Sequence, residues 1–570
     1  MVYPDEGNQR TAGPHKIMRT ASGSRHDWDY LIVSAANAPQ AEAYEAQIRF
    51  RRRAGRLQQV REALVVADME GCRIGSGAST LHCLATIVNR ESAEQGGVRD
   101  FAEAEAILRR LRILILHAGG DSRRLPAYSS CGKIFVPLPG EIDSPWVTTL
   151  FDRLVETFLD LQPGPPGLGQ VVVAASDALI GFDPAAVDLS ISGLTALGAW
   201  TTPEEASRHG VFCAEPGGEA VRIYLQKPAI QDQRAAGAMD GSGRSIVDVG
   251  VMSFDSPSAL ALVQVFCDVA GGRLVWKPEM RQSVLAHGLD LYREICCAMG
   301  TEATLGHYLR TARGSGSTWQ EPVLAGLFPA LRAVPLHLQV LDPCTFLHFG
   351  STRQLISSGL ALVAEESGAA PASTALMITT DVQPGATVAA SEAWVEACRV
   401  RAPLVLRGSN VVAGVDVSEP LDLPAGACLD VSRGRSRNGE PVWFVRCHGV
   451  HDTFKQAVDA GATFCGMPLD QWLRAVGARS SEIWEDAVPP PGRTLWNARV
   501  FPAEKERGGY RRWLWMFDAA RAAPEHKQAF LRADRYSSAE IALLVDQEAF
   551  YAERQAIHLR LRQPEPKVGG

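Results

Sequence analysis

Short apolar runs separated by polar or glycine-rich stretches dominate the first third of the chain. DYLIVSAAN, Asp29 to Asn37, predicts a strand ending in a polar loop, and Pro39 to about Leu57, opened by proline and rich in Ala, Glu and Gln, predicts a helix. A second strand is expected over Ala63 to Ala67, leading through MEGCRIGSGAST to a helical stretch, Leu81 to Val88. Ile113 to Leu116 and Val171 to Ala175 have the length and unbroken apolar character of buried parallel strands, with a helix between them over Trp146 to Leu161. Alternating strands and helices predict a doubly wound α/β fold.

Beyond about residue 370 the pattern changes. Leu376, Val382, Val388, Trp394, Val400, Leu406 and Val412 fall every six residues, a period that suits neither an ordinary helix nor a simple strand. Hexad spacing predicts a β-helix, each coil placing a large apolar side chain at the same corner. Its expected role is scaffold or contact between copies in a homo-oligomer. From about Ser432 strands and helices mix, and Ser537 to Leu561 predicts a helix. The expected division is a flexible tail over 1–26, an α/β domain over 27–365, a β-helix over 366–431 and a mixed, helix-rich region over 432–570.

Composition narrows the function. The 570 residues are 46% hydrophobic and 21% charged, as in an ordinary globular protein, and the formal net charge of −7 disfavours a nucleic-acid partner. Arg51-Arg52-Arg53 is expected on a solvated helix face. The twelve cysteines show no C-x-x-C pair or zinc spacing and are read as reduced, mostly buried thiols. Neither a signal-peptide core nor a membrane-length apolar run is present, so a cytoplasmic protein without a membrane partner is expected.

Candidate chemistry centres on LRILILHAGGDSRRLPAYSSCGKIFVPLP, residues 111–139. Adjacent glycines, Gly119 and Gly120, permit close backbone approach to a phosphate chain, while Arg123, Arg124 and Lys133 supply positive charge. The loop fits neither a P-loop, since Ile134 follows Gly132-Lys133, nor a dinucleotide fingerprint, since no third glycine follows at the right distance. A plain turn with solvated arginines is the bland alternative. Gly75-Ser76-Gly77, with Arg73 before it, reads either as an anion nest ahead of a helix or as a common turn. Asp177 follows an apolar strand, where open α/β sheets bind ligands and a carboxylate can hold magnesium against phosphates.

HAGGDSRRLPAYSSCGKIFVPLP resembles the signature of the L-fucose-1-phosphate guanylyltransferase (GDP-fucose pyrophosphorylase) family, a divergent branch of the sugar-phosphate nucleotidyltransferases. RIGSGASTL, RHGVF, IYLQKP, VDVGV and RTLWNARVFP are similar to further family blocks, so the resemblance spans roughly Trp28 to Ile557. It implies a Rossmann-like nucleotidyltransferase domain over 27–365, followed by the β-helix. It implies catalytic roles for Arg124 and Lys133, and nucleotide contacts from Gly119, Gly120 and Ser122 together with Arg73, Gly75 and Gly77. Gly210, Lys227 and Asp248 would meet the sugar phosphate, and Asp177 would hold Mg2+. Ser122, Gln226 and His348 depart from the general pattern of these enzymes; His348 stands where relatives carry a second metal-binding aspartate, so the second ligand stays open among Asp248, Asp290, His348 and none. The implied reaction joins GTP and L-fucose 1-phosphate into GDP-L-fucose and pyrophosphate. Alternatives are another sugar 1-phosphate and nucleotide pair, or a catalytically silent GDP-sugar-binding regulatory protein. No Gly-Leu-Gly-Ser-Ser-Ser-like ATP loop occurs, so fucose phosphorylation is expected to need a separate enzyme.

Overall fold

A computed structural model describes residues 27–140, 144–214, 218–369 and 373–563; the expected tail, 1–26, lies outside them. Four strands form on the apolar runs: β1 (Trp28–Ala35), β2 (Val60–Ala67), β3 (Arg112–His117) and β4 (Gln170–Ala175). They pair in parallel in the order β2-β1-β3-β4. Successive side chains point to opposite faces: Leu31 and Val33 enter one hydrophobic cluster, Tyr30 and Ile32 another. Burial on both faces explains why β1, β3 and β4 lack polar alternation, whereas β2, at the end of the order, is largely half-buried and carries exposed Arg61.

The chain continues through β5 (Ala178–Gly181), β6 (Leu194–Thr201), β7 (Gly210–Ala214), β8 (Val221–Gln226) and β9 (Ser245–Phe254). β9 lies antiparallel between β4 and β6, Leu336–Leu341 extends the sheet in parallel beyond β6, and β7 joins β9 to β8. The result is a nine-stranded mixed sheet. Because β1, β3 and β4 are parallel, their carboxyl ends share one edge, and the loops carrying Gly119 and Asp177 leave from it.

Helix α1 (Ala38–Arg53) begins at Asn37, whose side chain accepts the Gln40 N–H. It stops short of Leu57 because Gly55 and Leu57 take φ of 76° and 62°. Arg51 is not on a solvated face: its side chain is 2% exposed, and its guanidinium grips Asp152 at 2.6 and 2.8 Å. That pair ties α1 to the helix Leu150–Leu159, which starts later than Trp146 because Thr149 and Asp152 form a capping box. Helix α2 (Gly75–Ser92) is longer than its apolar pattern suggested, since the Gly-Ser-Gly segment expected ahead of it is its first turn.

After residue 373 each hexad position lies on its own short strand, and the strands enter three parallel sheets in rotation. Leu376 pairs with Trp394, and Trp394 with Val411; Val382 pairs with Val400, and Val400 with Val417; Val388 pairs with Leu404, and Leu404 with Leu421. The strand Ala427–Arg435 then turns antiparallel to Pro441–Gly449. The C-terminal helical pattern breaks into Ser538–Leu544 and Gln547–Arg562, because Asp546 caps the second helix.

One hydrophobic cluster runs from Trp28 and Phe135 beside the sheet, through Trp394 and Leu404, to Trp513 and Phe550. Gly359 lets the helix Thr352–Ser367 lie on this later region, since a Cβ there would come within 2.6 Å of Leu376 and 2.9 Å of Trp394. All twelve cysteines are free thiols, most of them buried. Among the described residues, no helix is long and apolar enough to cross a membrane.

Candidate functional site

Gly119 and Gly120 leave the end of β3 beside the end of β1, where Ser34 Oγ accepts the Ala118 N–H at 3.2 Å. Gly120 takes φ 116°, and Gln40 on α1 donates to its carbonyl at 3.1 Å. Ser122 also sits at positive φ, 54°, a strained value for a residue with a side chain. Tyr44 ties the two ends of the loop together: its hydroxyl donates to the Ala118 carbonyl at 3.0 Å at the start of the loop and lies against Gly132 at the far end. A Cβ on Gly132 would lie 2.0 Å from that hydroxyl, so only glycine fits directly before Lys133.

The pairing of β3 with β4 sets Asp177 beside this loop. Lys133 donates to Asp177 Oδ2 at 3.2 Å, and the Arg124 guanidinium stands 3.8 Å from the same oxygen. Burial alone would raise the Asp177 pKa, but Lys133, His348 and Arg124 together hold it down to about 2. Its side chain is still 29% exposed, leaving an ionised carboxylate open to a ligand. Burial pushes the Lys133 amine below the ordinary lysine value, with Arg124 and Arg73 adding to the effect and Asp177 opposing it.

His348 reaches Asp177 from the strand Thr345–His348, which runs antiparallel to β5. Its Nε2 is 3.7 Å from Asp177 Oδ1, and its Nδ1 accepts the Gly350 N–H at 3.1 Å. A neutral ring held this way carries its proton on Nε2, facing the carboxylate. Asp290 accepts the N–H groups of Tyr292 and Arg293 at 3.0 and 2.9 Å, which is a helix cap. Among the described residues no three His, Cys, Asp or Glu side chains gather as a metal-binding group. Asp177 is nevertheless a fit for magnesium, which takes one or two carboxylates and completes its shell with phosphate oxygens and water.

The residues expected on the sugar side lie on β7 (Gly210), on β9 (Asp248) and directly after β8 (Lys227). Asp248 is buried, accepting the Tyr224 hydroxyl at 2.8 Å and the Gly250 N–H at 2.7 Å; burial raises its pKa to about 6. A Cβ on Gly210 would lie 1.8 Å from that hydroxyl and 3.1 Å from Asp248, so its missing side chain makes room for Tyr224. Lys227 takes φ 50° and bonds through its N–H to the His209 carbonyl at 2.8 Å. The His209 ring stands 6.0 Å from that of His348 and 5.4 Å from Phe346.

Gly75 and Gly77 are occupied differently from an open anion nest. A Cβ on Gly75 would come within 2.5 Å of the Leu289 carbonyl, and the Gly77 and Ala78 N–H groups already donate to that oxygen at 2.9 and 3.2 Å. Arg73 instead approaches the cradle, 3.7 Å from Asp121, which also binds Arg123 at 2.7 Å. Two contributions escaped the sequence reading. Lys455, from a loop more than three hundred residues downstream, is pushed below the ordinary lysine value by burial and then by Arg73, Arg124, Lys227 and Arg123. Tyr128, inside the glycine-started segment, is held by Trp394 at 2.8 Å and by Glu396 at 3.2 Å, and Glu396 pairs with buried Arg554 at 2.7 Å. The signal for Tyr128 was its place in the motif; nothing local marked Lys455.

Arg73, Arg123, Arg124 and Lys133 thus stand around Asp121 and Asp177, and the charges of Arg73, Arg123, Arg124 and Lys227 are felt at Lys455. In a chain of net charge −7, such a local excess of cations suits an anion.

A family model described as the fucose pyrophosphorylase domain matches residues 105–506. A bifunctional fucokinase/GDP-fucose pyrophosphorylase of Arabidopsis thaliana is 26% identical over 518 residues, covering 83% of this chain and 47% of that protein. An L-fucokinase/L-fucose-1-P guanylyltransferase of Bacteroides fragilis is 23% identical, covering 86% and 48%, and a fucose-1-phosphate guanylyltransferase of Homo sapiens is 24% identical, covering 58% and 54%. The chain spans about half the length of these relatives.

Proposed function

The chain belongs to the fucose pyrophosphorylase family, and from that premise we propose that it joins L-fucose 1-phosphate to GTP, releasing pyrophosphate and GDP-L-fucose. The observation that carries the proposal is the cation cluster around ionised Asp177 at the carboxyl edge of β3 and β4. An oxygen of the sugar phosphate attacks the nucleotide α-phosphorus in line while the bond to the bridging oxygen breaks. The protein's part is to position the two substrates and to offset charge.

Gly119 and Gly120 let the backbone approach the nucleotide phosphates, with Ser122 and Arg73 at the loop's rim. Arg124 and Lys133 hold the phosphates that leave. Lys227 holds the sugar phosphate, and Asp248, oriented by Tyr224, faces the sugar side with Gly210. Asp177 would hold Mg2+, whose charge when bound would neutralise the triphosphate; His348, with its proton on Nε2, orients Asp177 rather than serving as a second ligand. The three rotating parallel sheets after residue 373 are read as a β-helix between the catalytic domain, 27–365, and the mixed region, 432–570. That coil buttresses the catalytic loop through Tyr128 and Trp394.

Purified protein incubated with GTP, L-fucose 1-phosphate and Mg2+ is expected to release pyrophosphate. Replacing either substrate in a panel of nucleoside triphosphates and sugar 1-phosphates tests the base and the sugar separately. Failure of every pair to react would exclude the catalytic reading.

A further inference from the structure

We propose that the loop Val450–Gln456 is a second wall of the polyphosphate site, and that Lys455, with Arg353 beside it, binds the phosphates that depart as pyrophosphate. Arg124, Ser351, Arg353, His451 and Lys455 line one recess of about 620 Å³, bounded by the glycine-started loop, the start of the helix Thr352–Ser367 and this downstream loop. Among the described residues, Lys455 and Arg353 have no ion-pair partner, and Arg124 has only Asp177, at 3.8 Å. Uncompensated cations brought together from three distant stretches of sequence repel one another, and an anion between them removes that cost.

The loop is built to hold this position. Phe454, directly before Lys455, is buried and stacks on Phe501 with ring centroids 6.0 Å apart. Its carbonyl accepts the Trp496 N–H at 3.2 Å. Asp452, which also borders the recess, is held as a hydrogen-bond acceptor: it accepts the Gly449 and Cys465 N–H groups, both at 2.6 Å, and the Thr463 hydroxyl at 2.8 Å. The only carboxylate of the loop is thereby engaged with its own backbone and with Thr463. Burial and the cations Arg73, Arg124, Lys227 and Arg123 lower the Lys455 amine, the behaviour of a cation awaiting an anionic partner.

The proposal rests on the GTP-dependent reading above. When the sugar-phosphate oxygen bonds to the α-phosphorus, the bond from that phosphorus to the bridging oxygen breaks, and its electron pair stays on the pyrophosphate. Charge grows on the leaving group, where an ammonium at Lys455 meets it. Because Lys455 shares its recess with Arg124 and Arg353 rather than with Gly210 or Asp248, its loss should weaken binding of the triphosphate more than binding of the sugar phosphate.

Calorimetric titration of the full-length protein with inorganic pyrophosphate and with GTP, both in Mg2+, supplies the test. Lys455→Ala should weaken both by about tenfold or more, Lys455→Arg should restore most of the affinity, and Lys505→Ala, outside the recess, should match the unaltered protein. In turnover, Lys455→Ala should raise KM for GTP more than KM for the sugar phosphate. Equal pyrophosphate affinity in Lys455→Ala and the unaltered protein would overturn the proposal, even if GDP-fucose is made. Pyrophosphate binding that depends on Lys455 in a protein that makes no GDP-fucose would uphold this site and sink the assigned reaction instead.

Discussion

Replacing Lys133 by methionine removes the ammonium while keeping most of the apolar stem of a side chain that is 18% exposed, so the fold should survive. The amine lies 3.2 Å from Asp177 Oδ2, a gross attraction of about 5 kcal/mol at an effective dielectric of about 20. In the proposed reaction the same ammonium faces the departing phosphates. Loss of one preorganised donor of this kind costs about 2.7–4 kcal/mol of transition-state stabilisation, a fall of roughly a hundred- to thousandfold in kcat. The variant should also change the pH profile. Asp177 has a pKa of about 2, so it is ionised throughout the usual assay range, and the stability it contributes above the unfolded value near 3.9 is lost only as pH falls toward 2. Without Lys133, burial is less opposed, and the carboxylate should climb by about one to three pH units. An acid limb should therefore emerge in kcat/KM between about pH 3 and 5. Pyrophosphate release by Lys133→Met, followed across pH, measures both effects. A variant that keeps more than a fifth of its activity and has an unchanged acid limb would refute the reasoning.

Gly132→Ala places a Cβ 2.0 Å from the Tyr44 hydroxyl at a position with φ 77°, so unfolding should cost about 2–4 kcal/mol less. Denaturant melts check this, and adding Tyr44→Phe should recover part of the loss. Asp248 has a pKa raised to about 6, so its ionised form burdens the fold above that pH and the burden vanishes below the unfolded value near 3.9. Asp248→Asn should therefore raise stability at pH 8 by on the order of 2 kcal/mol, seen as a higher melting temperature, and leave both nearly unchanged at pH 4; a loss of stability at both would contradict the sign. Glu396→Ala strands Arg554, whose side chain is 5% exposed, at a cost of about 3–5 kcal/mol, and by freeing Tyr128 it should also depress turnover.

Strands β1, β3 and β4 were legible because each is a short apolar run buried on both faces, and half-buried β2 because Ala63 to Ala67 is also apolar, patterns that survive without tertiary context. The glycine-started loop and Asp177 were legible for the same reason, since strand ends fix where loops emerge. Each hexad residue after residue 373 lies on a strand, and the pairing drifts so that Leu404, not Leu406, lies beside Val388. What stayed hidden depends on distant packing. Arg51 looks like any arginine in a basic run until Asp152 arrives beside it. Gly75 and Gly77 look like a phosphate loop, yet their space is filled by the Leu289 backbone. Lys455 carries no local pattern, because its meaning comes from the cations it faces across the recess.

Mixing the purified chain with GTP, L-fucose 1-phosphate and Mg2+ and following the phosphorus resonances should show GDP-L-fucose and pyrophosphate appearing in equal amounts, with Lys133→Met slower by at least about a hundredfold. Persistence of both substrates unchanged, while the protein still binds GTP, would contradict a nucleotidyl-transfer role for the cation cluster.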